Sequence, residues 1–417
     1  MKIILLNTDD FTGGAAIAAR RLLTALTKQN IDTKLLVQDS KSGQENVAAI
    51  DDNWLKQKMS FVRFALERLW FWPYEKSKEV RFQFNLSRFG QDISENQFIK
   101  EADVVHLHWI NFGFLSIHSL EKLFKTKKPV VWTLHDMWAF TGGCHHSGDC
   151  ENYQQACGNC ERFLKNPSPE DLSHRVWKQK MSVFQNANLT VVTCSEWLGN
   201  RARKSSLLQN IKVITIPNPI DIEVFRPIAK SEARRQLGLD TKKNYILFAA
   251  MRVEAIGKGF LYFKAALEIY KKNAPKNTEL LVFGQVDEAT LQDLPFKVNT
   301  LGRLSDIEKI VLAYSAASVF VIPSLEENLP NTIMESLACS TPVVGFEVGG
   351  IPEMIEHQKN GYVVTYKSAE DLANGMSWVL KNTDYEILCI NARQKVIENY
   401  SEKIVAKQYE ELYKSLI

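Results

Sequence analysis

Two glutamates, Glu327 and Glu335, stand eight residues apart in the run Pro323-Ser324-Leu325-Glu326-Glu327-Asn328-Leu329-Pro330-Asn331-Thr332-Ile333-Met334-Glu335. The run follows an apolar strand, Val319–Ile322, and leads into a helix. A helix opening at the carboxyl end of a parallel strand presents free N–H groups and a positive dipole end, which suits a diphosphate. The two carboxylates flank the turn, where one can meet a sugar and the other can accept hydrogen bonds from ribose hydroxyls. Two glutamates at this spacing alone would read as solvated surface residues. The order strand, Pro-Ser, Glu, Pro-Asn, helix weighs against that.

Histidines and cysteines supply the other chemistry. His135 follows the strand Val130–Leu134, which places it at a strand's carboxyl end, with Asp136 beside it. His106 and His108 alternate on one strand and so share a face, where they can equally fill a wall. Cys144, Cys150, Cys157 and Cys160 fall within 17 residues. The Cys157-x2-Cys160 knuckle with two further thiols suits a tetrahedral structural zinc that pins the loop, with His145 and His146 as substitute ligands. Four reduced thiols or two disulfides are the alternatives.

The elements that must hold these groups read as strands and helices in alternation. In the first half, strands are expected at residues 3–6, 33–37, 104–108, 130–134, 191–194 and 213–216, with a helix over 15–26. In the second half, strands are expected at 245–249, 279–283, 319–322 and 342–345, and helices over 260–271, 306–315 and from 331. Residues 368–417 are mostly helical in pattern. Short apolar strands separated by helices predict parallel βαβ units, and Pro217-Asn218-Pro219 suits a stiff linker.

The length of 417 residues exceeds what one hydrophobic core supports. The residues are 45% hydrophobic and 24% charged, which excludes a disordered or collagen-like chain. A net charge of +3 gives no signal for nucleic acid. Seven cysteines are too few for a disulfide scaffold. The first residues carry no signal-peptide core and no stretch is apolar enough to span a bilayer, so a cytoplasmic location is expected. One segment departs from the average. Residues 54–89 hold ten aromatics and eight Lys/Arg against three Glu. That mixture suits peripheral contact with the cytoplasmic face of a membrane or a lipid-linked substrate, or else a helix packing its aromatics inward.

Taken in order, the motifs resemble retaining glycosyltransferases of family four, over nearly the whole chain. Glu327 and Glu335 match that family's Glu-x7-Glu. Gly13-Gly14 matches its N-terminal Gly-Gly loop, Asp103-Val104-Val105-His106 its Asp-hydrophobic-hydrophobic-His strand, and Thr133-Leu134-His135-Asp136 its Thr-x-His-Asp turn. Pro217-Asn218, Lys258-Gly259, Thr341-Pro342-Val343-Val344 and Gly349-Gly350-Ile351-Pro352-Glu353 follow in the family's order. Ala249-Ala250 replaces a usual glycine loop, Ser340 a usual glycine, and Arg252 lies one residue further from Lys258 than is common. The details are most similar to enzymes of capsule, colanic-acid and O-antigen assembly.

The resemblance implies a GT-B fold: α/β, two Rossmann-like doubly wound parallel-sheet domains facing across a cleft. Residues 1–215 would bind acceptor, 216–398 would bind the nucleotide sugar, and 399–417 would return as a helix to the first domain. It implies a nucleotide-sugar donor, a glycan or lipid-linked acceptor, and no metal for catalysis. Gly13, Gly14, Arg252, Lys258, Leu329, Pro330, Asn331, Thr332 and Glu335 would bind donor. Glu327, His135 and Lys258 would serve catalysis, and His106, His108 and Asp136 would line the acceptor side. A GT-B epimerase or phosphorylase and an inactive sugar-binding scaffold are the competing readings. A dinucleotide oxidoreductase lacks its Gly-x-Gly-x-x-Gly.

Overall fold

β-branched and leucine-rich runs become strands buried on both faces, as parallel sheets require. In the computed structural model, which describes residues 1–417, they form two sheets. The first has seven parallel strands: β1 (Lys2–Asp9), β2 (Asp32–Asp39), β3 (Val47–Ala49), β4 (Val104–Leu107), β5 (Val130–Leu134), β6 (Leu189–Thr193) and β7 (Lys212–Thr215). Their order is β3-β2-β1-β4-β5-β6-β7. The second has six: β8 (Asn244–Arg252), β9 (Thr278–Gln285), β10 (Val298–Thr300), β11 (Val319–Ile322), β12 (Val343–Phe346) and β13 (Gly361–Val364), in the order β10-β9-β8-β11-β12-β13.

Alternation along each strand divides the core between the faces of the sheet. Ile4, Leu6, Val105 and Leu107 join one cluster, while Ile3, Leu5, Val104 and Val131 join another. The second cluster is closed by the helix Gly14–Lys28 and by Val405, Ala406, Tyr409 and Tyr413 of the helix Glu402–Lys414. The chain accordingly divides into one unit of Met1–Pro219 with Val405–Ile417, and another of Ile220–Ile404. In the second unit Ile246, Phe248, Val282, Val321 and Val344 pack against the helices Phe260–Lys271 and Ala369–Leu380.

In each sheet the strand order reverses once, between β1 and β4 and between β8 and β11. Crevices at the carboxyl ends of strands at such switch points are where open α/β sheets take ligands. The chain places Gly13-Gly14 after β1, His108 after β4, Lys258-Gly259 after β8 and Glu327 after β11.

The aromatic, basic segment forms the helix Trp54–Phe71 and a following irregular stretch. It packs only some of its rings inward. Phe71 and Phe84 stack at 5.1 Å inside the core, whereas Trp54 and Phe61 are 66% and 67% exposed. No helix is long and apolar enough to cross a membrane.

Candidate active site

In the second unit the turn after β11 is held from two sides by backbone that admits no side chain. Gly259 has φ +67°, and a Cβ there would lie 1.7 Å from the Pro323 carbonyl oxygen. Gly349 has φ +60°, and its Cβ would lie 1.7 Å from the Glu327 carbonyl oxygen. Both positions need glycine for conformation and for space. The Leu325 amide donates to Gly257 O at 2.8 Å, and the Gly350 amide to Asn328 O at 2.9 Å.

This clamp brings Lys258 Nζ to 2.5 Å from Glu327 Oε1. The lysine side chain is 40% exposed and the glutamate 14%. Two residues singled out separately are therefore one ion pair with an open cationic end. Leu329, Pro330, Asn331 and Thr332 lead into the helix Asn331–Ala338, whose first turn has no side-chain cap. Glu335 is buried within that helix and accepts from Tyr314 Oη at 3.2 Å. Arg252 is exposed at the end of β8, just past a register shift between β8 and β9.

In the first unit the histidines form a column. The rings of His106 and His108 stack at 4.5 Å, and those of His108 and His135 at 5.3 Å. His108 Nδ1 and His135 Nε2 are 3.0 Å apart. His106 is fully buried, with Nδ1 2.7 Å from Tyr413 Oη and Nε2 2.7 Å from Thr133 Oγ1. Both its nitrogens are used inside the protein, which removes it from the acceptor side: it braces the column. Burial pushes His106 down to about 3 and His135 down to about 4. His108 is lowered by burial and then by its two neighbouring imidazoles.

Asp136 is also an internal group. Its Oδ2 accepts from Trp109 Nε1 at 2.9 Å and meets His145 Nδ1 at 2.7 Å, and its Oδ1 accepts from the Trp138 amide at 2.8 Å. Burial raises this carboxyl, but His145 and the Trp138 amide outweigh burial and the net shift is downward. Asp136 therefore orients its neighbours instead of facing an acceptor directly. Gly13, with Gly14 at its side, opens the helix Gly14–Lys28, and a Cβ on Gly13 would meet nothing within 4 Å.

Residues 12–224, half of the chain, match the Glycosyltransferase Family 4 model, and residues 229–403 match Glycosyl transferases group 1. The chain belongs to glycosyltransferase family 4. This family-4 chain is 31% identical over 198 residues to an uncharacterized glycosyltransferase of Methanocaldococcus jannaschii, covering 44% of the chain and 48% of the relative. It is 24% identical over 225 residues to the Escherichia coli UDP-Gal:alpha-D-GlcNAc-diphosphoundecaprenol alpha-1,3-galactosyltransferase, covering 51% of the chain and 57% of the relative. The chain thus matches about half the length of each of these relatives. Sucrose-phosphate synthase of Thermosynechococcus elongatus shares the fold at 19% identity, with a TM-score of 0.69 over 100% of this chain and 99% of that one. The two parallel-sheet domains are those of the GT-B fold.

The family-4 chain holds its cysteine loop by means the spacing did not reveal. Lys180 is fully buried and donates to Trp138 O and, at 3.0 Å, to Thr141 O. Burial pushes this ammonium down to about 7. The Gly142 amide donates to Cys157 Sγ at 3.0 Å, and the Cys160 amide to Asp171 Oδ2 at 2.8 Å. Burial raises the thiols of Cys144 and Cys157, to about 11 and about 12. Cys150 stays exposed, all seven cysteines are free, and no three His, Cys, Asp or Glu side chains are disposed to hold a metal ion. As placed, these residues do not fit the zinc expected from their spacing.

Proposed function

We propose that the chain is a retaining glycosyltransferase that moves a sugar from a nucleoside-diphosphate sugar to a glycan or lipid-linked acceptor, in the assembly of cell-surface polysaccharide. The observation that carries this reading is the Lys258–Glu327 pair, clamped at the switch point of the second sheet beside an uncapped helix start. As the bond between the anomeric carbon and the phosphate oxygen breaks, negative charge grows on that oxygen. Lys258 and the amides of Leu329, Asn331 and Thr332 are preorganised to stabilise it. These groups supply the positive charge from the chain itself, so the reading requires no catalytic metal. The acceptor hydroxyl attacks from the same face, its oxygen bonds to the anomeric carbon, and its proton passes to the departing phosphate. Glu327 orients the donor sugar as the diphosphate takes over Lys258. Glu335, braced by Tyr314, takes ribose hydroxyls. Arg252 adds an exposed cation to the second unit, and within the first unit Gly13 and Gly14 leave backbone open to a ligand while His135 with His108 contributes polar edges.

The test is a panel of nucleotide sugars, including the UDP-galactose named for the E. coli relative, read by thermal stabilisation and by nucleotide release. Glu335→Ala should weaken donor binding and Glu327→Ala should lower turnover. Unaltered kinetics in both variants would refute the assignment, and an inverted anomeric product would refute retention.

Peripheral contact with a membrane belongs to the same proposal. The helix Trp54–Phe71 exposes Trp54, Leu55, Met59, Phe61, Leu69 and Trp70 among the exposed lysines Lys56 and Lys58. Arg63 and Arg68 are not part of that basic surface, because Arg63 pairs with buried Asp51 and Arg68 is buried against Phe112. Neutralising Lys56, Lys58, Lys76 and Lys78 should abolish sedimentation with anionic vesicles, and unchanged sedimentation would refute the contact. A loop-pinning zinc on Cys144, Cys150, Cys157 and Cys160 would require these side chains to rearrange into a ligand set that, as placed, they do not form. Metal analysis of protein purified without chelator decides it, with less than half an equivalent of zinc counting against the site.

A further inference from the structure

A continuous track of aromatic rings runs through the first unit from the exposed helix to one unpartnered imidazole nitrogen. Phe61, on the surface, lies 6.4 Å from Phe64, and Phe64 meets Phe112 edge-on at 5.9 Å. Phe112 packs edge-on against Trp109 at 4.8 Å, and Trp109 lies 5.8 Å from His145. The exposed Phe82 joins at Phe112, at 6.1 Å. The guanidinium of Arg68 stands 5.1 Å from the Phe112 ring. Phe112 itself sits at φ +60°, a left-handed conformation that is costly for a bulky residue.

The track ends on a polar group with unused capacity. His145 is 7% exposed, and its Nε2 is buried with no hydrogen-bond partner. Its Nδ1 is fixed by Asp136, and its backbone is tied to Met137 at 2.9 Å and to Gln83 at 3.0 Å. Because Asp136 accepts from Nδ1, Nε2 is the position left for a ligand, on a ring 5.8 Å from Trp109 and 6.3 Å from Phe112. Leaving a buried polar nitrogen unmet is costly, and a ligand hydroxyl, which can donate or accept, recovers that cost. Flat aromatic rings beside a hydrogen-bonding group suit the apolar face and hydroxyl edge of a pyranose, and a line of exposed rings suits an isoprenoid chain.

We infer that His145, oriented by Asp136, anchors a sugar hydroxyl of a polyprenyl-diphosphate-linked acceptor whose lipid follows the rings of Phe61, Phe64 and Phe82. The inference rests on the lipid-linked branch of the proposed function and gives that branch a residue. Lys258, Glu327 and the donor site take no part in it.

The probe is GlcNAc-diphosphoundecaprenol in detergent micelles, with undecaprenyl phosphate as the sugar-free comparison. Binding is measured for wild type, His145→Gln, His145→Phe and the double variant Phe61→Ser/Phe64→Ala, alongside the Kd of the best donor from the panel. The expected result is a loss of about tenfold or more in affinity for the sugar-bearing lipid in His145→Phe, with partial rescue in His145→Gln. The affinity for undecaprenyl phosphate and for donor should be unchanged in both. The track variant should weaken both lipids and leave the donor Kd alone. Equal affinity of wild type and His145→Phe for the sugar-bearing lipid overturns the inference, as does failure of wild type to bind either lipid. In that event donor binding and nucleotide release still score the proposed function separately. A His145→Phe protein with weakened donor binding would mark a structural role and also overturn it.

Discussion

Replacing Gly349 with alanine should disable the proposed donor site while leaving the first unit intact. The new Cβ would lie 1.7 Å from the Glu327 carbonyl oxygen, and side-chain carbons essentially never approach closer than 3.0 Å. The two segments must therefore part by about 1.3 Å. That displacement falls on Glu327 and breaks the Gly350-to-Asn328 hydrogen bond, which contributes about 0.5–1.5 kcal/mol. The left-handed φ adds about 1–2 kcal/mol for any residue with a Cβ. Together they predict a destabilisation of about 1.5–3.5 kcal/mol, seen as a fall of roughly 3–14 °C in Tm for a unit of this size. A shift of this length in a reacting group costs about 100-fold in rate. The assay is nucleotide release from the best donor, with a melting curve on the same sample. Gly238→Ala is the control, because Gly238 has φ +69° with nothing within 4 Å and so carries the conformational strain alone. If Gly349→Ala turned over like Gly238→Ala, the clamp on Glu327 would be irrelevant to catalysis and the reasoning would fail.

Lys258→Ala should lower turnover by about 100-fold or more through loss of charge stabilisation, with Lys258→Arg retaining part of it; steady-state kinetics with wild-type values in Lys258→Ala would contradict the assignment. The buried histidines make stability fall with acid. His106 and His135 are held near 3 and 4 when folded and titrate near 6.5 when unfolded, so between these values the unfolded chain binds more protons. Each should contribute a loss of about 2 kcal/mol between pH 7 and pH 5, read as a shift of the urea midpoint that shrinks in His106→Asn. Tyr413→Phe leaves His106 Nδ1 without its partner and should destabilise the first unit by about 1–3 kcal/mol in urea, with donor affinity unchanged.

Much of this molecule is legible from residue order because central parallel strands are continuous apolar runs. Residues 3–6, 130–134 and 319–322 each declare a strand buried on both faces. Three of the four edge strands do not: Val47–Ala49, Val298–Thr300 and Gly361–Val364 span only three or four residues each. Lys258 and Glu327 were recognisable one by one, but only folding shows that they touch across 69 residues. His106 misleads because its partner Tyr413 is 307 residues away, and nothing local signals that both ring nitrogens are already used. His145 misleads in the opposite sense. Its neighbour Cys144 suggests a ligand set, whereas its Nδ1 belongs to Asp136, nine residues back.

The return of the helix Glu402–Lys414 to the first unit sets a schedule on synthesis. Residues 1–219 emerge first, yet part of one face of their sheet is closed by Val405, Ala406, Tyr409 and Tyr413. At translation speeds of about 5–20 residues per second, that apolar face waits roughly 10–40 s for its cover. During that interval His106 and Thr133 lack the tyrosine hydroxyls that satisfy them. The second unit, contiguous from Ile220 to Ile404, has no such wait, so it can finish folding before the unit that precedes it in the chain.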